Sequence, residues 1–480
     1  MENLKEKTAR GLMWGAVNNG AMQVLYVVFG IVLGRLLTPA EYGIVGVLAI
    51  FTAIAGAIQA SGFTQGLINL KSPTARDYNS VFWFNMLASV TLYAILFCCA
   101  PLIARFFHQP CLTEVSRVLF LCLPISAVGI ACNSYLLKNM RNKEIAIINL
   151  SAILISGITG TIMAFNGFSY WSLVWQQLIY NIVTNIGRYI YARWRPSLKI
   201  DFGPVKEMFG FCSKLLITNI LNTLNQHLLT FVFGRLFPIH SVGNYTQASK
   251  WSNMAHSTVS NTLWQVVQPV FVEVNDDSER ELRVFRKLLR FTAFLSFPIM
   301  FGLALVSREF ILVTIGEKWL GCVMLMRIIC IGGAFMPFYV LFQNLSISKG
   351  RSDLYMWCNI CQIVAQLVII LLLSNQDIEF IVGASAAFTI LWLLAWQNIG
   401  HRLIGLRLLE MLKDLVPFLV VALAVMTATY FLTATITQPV VLLLARVAIA
   451  AVLYLAAMRL LRAKVMDECI QFILRKKKTL

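Results

Sequence analysis

Between Val81 and Ala104 the chain runs 24 residues, VFWFNMLASVTLYAILFCCAPLIA, without one charged side chain. About 20 consecutive apolar residues are what a helix needs to cross the hydrocarbon core of a bilayer. Runs of this kind recur from one end of the 480 residues to the other. Only 13% of the residues are charged, against about 25% in an ordinary soluble chain, and the mean hydropathy is +0.73. So much apolar surface has no refuge in water. The expected fold class is an all-α polytopic membrane protein, because in lipid a chain must satisfy its backbone within helices or a closed barrel.

Breaks at polar, Gly and Pro residues divide the chain into fourteen expected helices. They lie near 12–37, 41–68, 79–104, 115–137, 145–165, 170–191, 208–236, 241–270, 288–315, 320–346, 354–373, 378–400, 416–436 and 439–461. The distribution of charge tests this count separately, because cytoplasmic loops carry the excess of Lys and Arg. With a cytoplasmic N-terminus, thirty of the forty basic residues fall on the inward turns and tails, and six on the outward turns. The remaining four, Lys214, Lys250, Arg327 and Arg446, lie inside expected helices. A miscounted helix would scramble that alternation from the error onward. Both termini are therefore expected in the cytoplasm, and the charged start MENLKEKTARGLMWG reads as a retained tail.

The net charge of +18 does not mark a nucleic-acid partner, because the basic residues are scattered singly between apolar runs. The eleven cysteines sit mostly in apolar runs and form no CxxC pair in a polar context. Neither a zinc site nor a disulfide framework is expected, and no cofactor.

One pattern returns. VLGRLLTPAEYG, ending at Gly43, matches VFGRLFPIHSVG, ending at Gly243, at a constant offset of 200. Val32 and Val232, Gly34 and Gly234, Arg35 and Arg235, Leu36 and Leu236, and Gly43 and Gly243 correspond, as do Asn19 and Asn219. Six helices separate the copies, so both point the same way through the membrane. Parallel repeats of this kind are a transporter plan, with substrate near the repeat interface. The longest polar stretch, EVNDDSERELRVFRKLLR, reads as an amphipathic connector. Asp277 or Ser278 would cap it, and Arg283, Arg286, Lys287 and Arg290 would face anionic lipid.

LGRLLTPAEYGIVGVLAI, QASGFTQGLINLK and the block from NDDSERELR to GEKWLG resemble the Wzx-type polysaccharide flippases. These form the polysaccharide-transport branch of the multidrug/oligosaccharidyl-lipid/polysaccharide exporter superfamily, and the variant resembled is the colanic-acid-exporter type. Such proteins often carry an acidic residue before the GFTQ-like text, where this chain has Ala60, Ser61 and Gly62. The resemblance implies two six-helix lobes around a central cavity, at 1–200 and 201–404, with two further helices and a basic tail at 405–480. It also implies outward transfer of undecaprenyl-pyrophosphate-linked oligosaccharide across the bacterial inner membrane by alternating access. Membrane lipids and a polysaccharide polymerase are the partners that follow.

Apart from any family, a sugar headgroup needs a wet path, and polar groups deep in a bilayer face the bundle interior. In the eighth expected helix Gln247, Lys250, Asn253, Ser257 and Asn261 recur on one face. The seventh offers Asn219, Asn222, Thr223 and Gln226, and the first offers Asn19, Gln23 and Tyr26. The bland alternative is interhelical hydrogen bonding, worth roughly 0.6 kcal/mol per contact. No acid falls in a helix centre, and Glu273 and Glu309 lie at helix ends. Cations without carboxylates suit an anionic cargo such as pyrophosphate, with Lys250 first and Arg327 second. Lys214 and Arg446, nearer helix ends, are expected to snorkel. Arg35 and Arg235 are expected either to guard an outer mouth and receive pyrophosphate, or to anchor helices at the interface.

Other readings remain at this point. A lipid II flippase shares the architecture. A multidrug exporter would want carboxylates for cationic drugs, and a polymerase or lipid-linked glycosyltransferase would want clustered acids or bases on a large outer loop. The outer turns here are short, with isolated acids such as Glu41, Glu114, Glu317 and Asp377.

Overall fold

The repeated turn is a helix–turn–helix joint. Helix α1, Leu4–Leu36, carries Arg35 in its last turn, where a cation complements the helix macrodipole. Helix α2, Pro39–Ala60, begins after two intervening residues, Leu37 and Thr38. The Thr38 N–H and hydroxyl donate to Glu41 Oε2 at 2.5 and 2.8 Å, and Pro39 takes the first helical position, which needs no donor. Gly43 has a different duty. A Cβ there would lie 3.0 Å from the Ile239 carbonyl carbon, with the carbonyl oxygen nearer still. A Cβ on Gly243 would meet the Pro39 carbonyl in the same way. Residue 239 is the 200-offset counterpart of residue 39, so the two copies exchange reciprocal contacts, as in an isologous interface. Glycine is required twice because backbone meets backbone there.

The computed structural model describes residues 4–60, 63–274 and 278–461, with no strand among them. Ser61, Gly62, the expected cap Asp277 and the basic tail beyond Leu461 lie outside the described residues, as does the side chain of Lys214. The chain divides into two compact units, Met1–Gly243 and Asn244–Leu480.

The first unit continues with α3 (Phe63–Asn69), α4 (Ala75–Phe106), α5 (Leu112–Leu119), α6 (Cys122–Val128) and α7 (Ile130–Lys138). Helices α8 (Asn142–Phe165), α9 (Trp171–Tyr191) and α10 (Gly203–Leu236) follow, then the first turn of α11 (Ile239–Val274). Helix α2 packs on α10 through Phe51 and Phe231, whose ring centroids are 6.0 Å apart. The expected single helix at 115–137 is broken, with a 43° bend between Leu112–Val128 and Ile130–Lys138. Asn185 of α9 enters the break, its Nδ2 donating to the Ile125 carbonyl at 2.6 Å. Gly129 bonds back to Ser126 instead, and the absence of a side chain at Gly129 makes room for Asn185. A side chain inserted into the helical ladder is a recognised cause of a kink.

The segment between α9 and α10 is strapped to the start of α4. Trp83 Nε1 donates to the Ser197 carbonyl at 2.7 Å, and the Ser197 N–H donates to Asn79 Oδ1 at 2.8 Å. Asp201 accepts from the Gly203 N–H and from Arg76 Nε, which together hold its carboxyl below the usual range.

The second unit is built around α12, Ser278–Thr314. Gly316, at φ +95°, opens the GEKW turn in a conformation that favours glycine, and Trp319 closes it fully buried. Then come α13 (Cys322–Gly333), α14 (Met336–Ser348), α15 (Ser352–Leu372), α16 (Ile378–Ile404), α17 (Leu408–Leu432) and α18 (Pro439–Leu460). The expected helix at 320–346 is thus two, restarting where Pro337 enters the first turn of α14.

Ten helices among the described residues are long and apolar enough to cross a membrane, or eleven if the bent pair counts as one span. Exposed apolar residues line their outer faces, as at Leu154, Ile158, Ile162 and Phe165 of α8. That belt is intelligible only with lipid against it. The protein is a multi-pass membrane protein.

Candidate functional site

Two contacts align α11 with α13 in the second unit. A Cβ on Gly321 would stand 2.6 Å from Asn244 Nδ2, and Ser252 Oγ lies 3.4 Å from Cys330 Sγ. The two segments therefore run in parallel. Lys250 is six residues beyond Asn244 and Arg327 six beyond Gly321, so at 1.5 Å per residue each cation lies about 9 Å further along. Lys250 and Arg327 stand at one depth.

Each is positioned by a neighbour. Arg327 Nε donates to Ser307 Oγ of α12 at 3.0 Å, and that hydroxyl donates to the Ala304 carbonyl at 2.9 Å. The Lys250 ammonium lies 5.5 Å from the Trp251 ring centroid, and Trp251 meets Phe310 of α12 edge-on at 5.2 Å. One turn before Lys250, Gln247 is fully buried, and neither amide atom has a hydrogen-bond partner among the described residues. Buried amides are nearly always satisfied, and Gln247 is an exception one turn from a cation. Further along the same face the helix opens. Asn253 is exposed and contacts His256 at 3.1 Å, Ser257 donates to its own helix at Met254, and Asn261 is exposed.

The first unit holds the remaining expected residues apart from one another in role. Asn19 is exposed on α1, Asn219 and Gln226 are exposed on α10, and Asn222 is half-buried there. Arg35 and Arg235 are both exposed at helix ends. Arg235 Nη1 donates to His108 Nδ1 at 3.0 Å and lies 5.7 Å from the Phe106 ring centroid. The loop after α4 thus holds Arg235 in place.

The structure also adds a cavity of about 370 Å³ in this unit, walled by α2, α5, α6, α9 and α10. Thr52, Ser126, Gln177, Asn181 and His227 line it, over an apolar floor that includes Val45 and Ala49. Gln177 and Asn181 escaped sequence reasoning. The signal was present, because Gln177, Tyr180, Asn181 and Thr184 recur on α9 at the spacing that singled out α11.

Arg446 is a correction. It does not snorkel, being 6% exposed. Its Nη1 lies 2.8 Å from Glu309 Oε2, and its Nε donates to Thr433 Oγ1 at 3.2 Å. Two of the cations expected to face lipid pair instead with acids of α17. Arg286 pairs with Asp414 at 2.6 Å and Glu410 at 3.1 Å, and Arg290 lies 3.5 Å from Asp414. Arg283 and Lys287 are exposed.

The fold is shared with solved membrane proteins. The solved structure titled "Lipid II flippase MurJ, inward closed conformation" superposes with a TM-score of 0.73 at 14% identity, covering 95% of this chain and 100% of that one. The family described as "Polysaccharide biosynthesis protein" matches residues 32–324, and the chain belongs to that family. It is 25% identical over 362 residues to "Lipopolysaccharide biosynthesis protein WzxC" of Escherichia coli (strain K12), covering 73% of this chain and 72% of WzxC. It is 24% identical over 310 residues to "Succinoglycan biosynthesis transport protein ExoT" of Rhizobium meliloti (strain 1021), covering 65% and 63%.

Proposed function

We infer that this chain is a flippase moving an undecaprenyl-pyrophosphate-linked oligosaccharide across the bacterial inner membrane by alternating access, and not an enzyme. The observation that carries the reading is the family match over residues 32–324. Supporting it are relatives named for lipopolysaccharide biosynthesis and succinoglycan transport. The site chemistry agrees: cations at one depth and amides along a helix face.

On this reading the chain crosses fourteen times with both termini cytoplasmic. Residues 1–200 and 201–404 act as lobes, with 405–480 appended. Lys250 and Arg327 receive the pyrophosphate, and Gln247, Asn253, Ser257, Asn261, Asn19, Asn219, Asn222 and Gln226 meet sugar hydroxyls. Arg35 and Arg235 guard the outer ends of their helices. A polysaccharide polymerase takes the product on the outer face.

The test is genetic and chemical. Cells lacking the chain should lose surface glycan while lipid-linked precursor accumulates facing the cytoplasm. Loss of surface glycan without precursor accumulation would overturn the reading, because the block would then lie before translocation.

A further inference from the structure

The 370 Å³ cavity of the first unit has a chemistry unlike that of the cations on α11 and α13. No Lys, Arg, Asp or Glu lines it among the described residues. Several of its polar groups direct hydrogens to their own helices. Thr52 Oγ1 donates to the Ala49 carbonyl at 3.0 Å, Ser126 Oγ to the Leu123 carbonyl at 3.1 Å, and Asn181 Nδ2 to the Gln177 carbonyl at 2.9 Å. A hydroxyl that donates in this way presents oxygen lone pairs elsewhere, and the Asn181 carbonyl oxygen is likewise an acceptor. His227 adds a ring nitrogen, and Gln177 an amide able to serve in either sense.

With no charged side chain on its wall among the described residues the cavity offers no cation to a phosphate, while its hydroxyl and amide oxygens suit a ligand that brings hydroxyl hydrogens. The space equals the share of about a dozen waters, too roomy to converge such scattered oxygens on a bare cation. Val45, Ala49, Ala53, Leu119 and Leu123 supply an apolar surface for the C–H face of a ring.

We propose that this cavity is a binding site for a neutral sugar residue of the transported glycan, separate from the groups that meet its phosphates. The proposal rests on the flippase reading and adds the part of the cargo recognised here.

The test places one cysteine at Ala53→Cys in the full chain with its native cysteines replaced, and follows its alkylation by a small maleimide. The probes are the lipid-linked precursor extracted from cells lacking this chain, and undecaprenyl phosphate, which has no sugar. The precursor should slow labelling about tenfold, as expected where several hydrogen bonds hold a ligand, and undecaprenyl phosphate should not. Gln177→Leu and Asn181→Leu should each remove that protection while binding of undecaprenyl phosphate persists, which also shows that the variants fold. Equal protection by both probes would overturn the sugar site in favour of a lipid site. Protection by neither, in protein that still translocates the precursor, would overturn it while leaving the flippase reading intact. Protection by the precursor without translocation would keep the sugar site and reject the flippase.

Discussion

Lys250 and Arg327 owe their interest to placement. A phosphate leaving water needs replacement hydration, and an uncompensated charge in an apolar medium is far costlier than any membrane potential offsets. On the function proposed here, two cations at one depth, with an orphaned Gln247 amide a turn away, would offer that replacement. Lys250→Ala and Arg327→Ala should each slow export about tenfold, the effect of losing roughly 1.4 kcal/mol of barrier lowering. Protein abundance should be unchanged, and Lys250→Arg should keep partial activity. Surface-glycan labelling normalised to protein level measures this, and full export by the double alanine variant would remove both residues from the path. Arg446 is the opposite case, a cation buried against Glu309. Removing one partner alone, as in Arg446→Leu or Glu309→Leu, should destabilise the second unit by about 3–5 kcal/mol. The double variant should recover most of that loss in a thermal or denaturant unfolding series. Additive losses would show that the pair is not coupled.

At the scale of elements, the joints explain what the repeat conserves in chemical type. Arg35 and Arg235 end their helices, while Gly43 and Gly243 permit reciprocal contact with residues 239 and 39. Gly43→Val and Gly243→Val should therefore each cost about 1–3 kcal/mol by overpacking, read as a lower melting temperature of the purified protein. Neutral outcomes at both positions would contradict that packing. The contact also marks the limit of the sequence. The spacing of apolar runs and charges located the helices, because burial in lipid is a property of each helix alone. The breaks at Gly129 and before Pro337 were not legible. Gly129 opens for Asn185 from another helix, and a proline in an apolar run does not tell whether a span kinks or restarts. Arg446 was misread for the same reason, its partner lying 137 positions away in the sequence. The polar face of α11 was legible because five polar groups recur along it, and the same periodicity on α9 went unused.

For the whole molecule the central claim is outward movement of a lipid-linked glycan without chemical change. On the function proposed here, the charge of a pyrophosphate-linked cargo would give that movement a driving force. Moving one negative charge out through an inside-negative potential gains about 2.3 kcal/mol per 100 mV, and a pyrophosphate about twice that if its charge is uncompensated. The direct measurement is reconstitution of the purified chain in liposomes carrying the extracted precursor in one leaflet. Glycan reaching the opposite face is read by a membrane-impermeant glycosidase. The account predicts protein-dependent exposure of unaltered glycan, faster when the starting side is made negative. Glycan lengthened or cleaved by the protein while remaining in its original leaflet would contradict it.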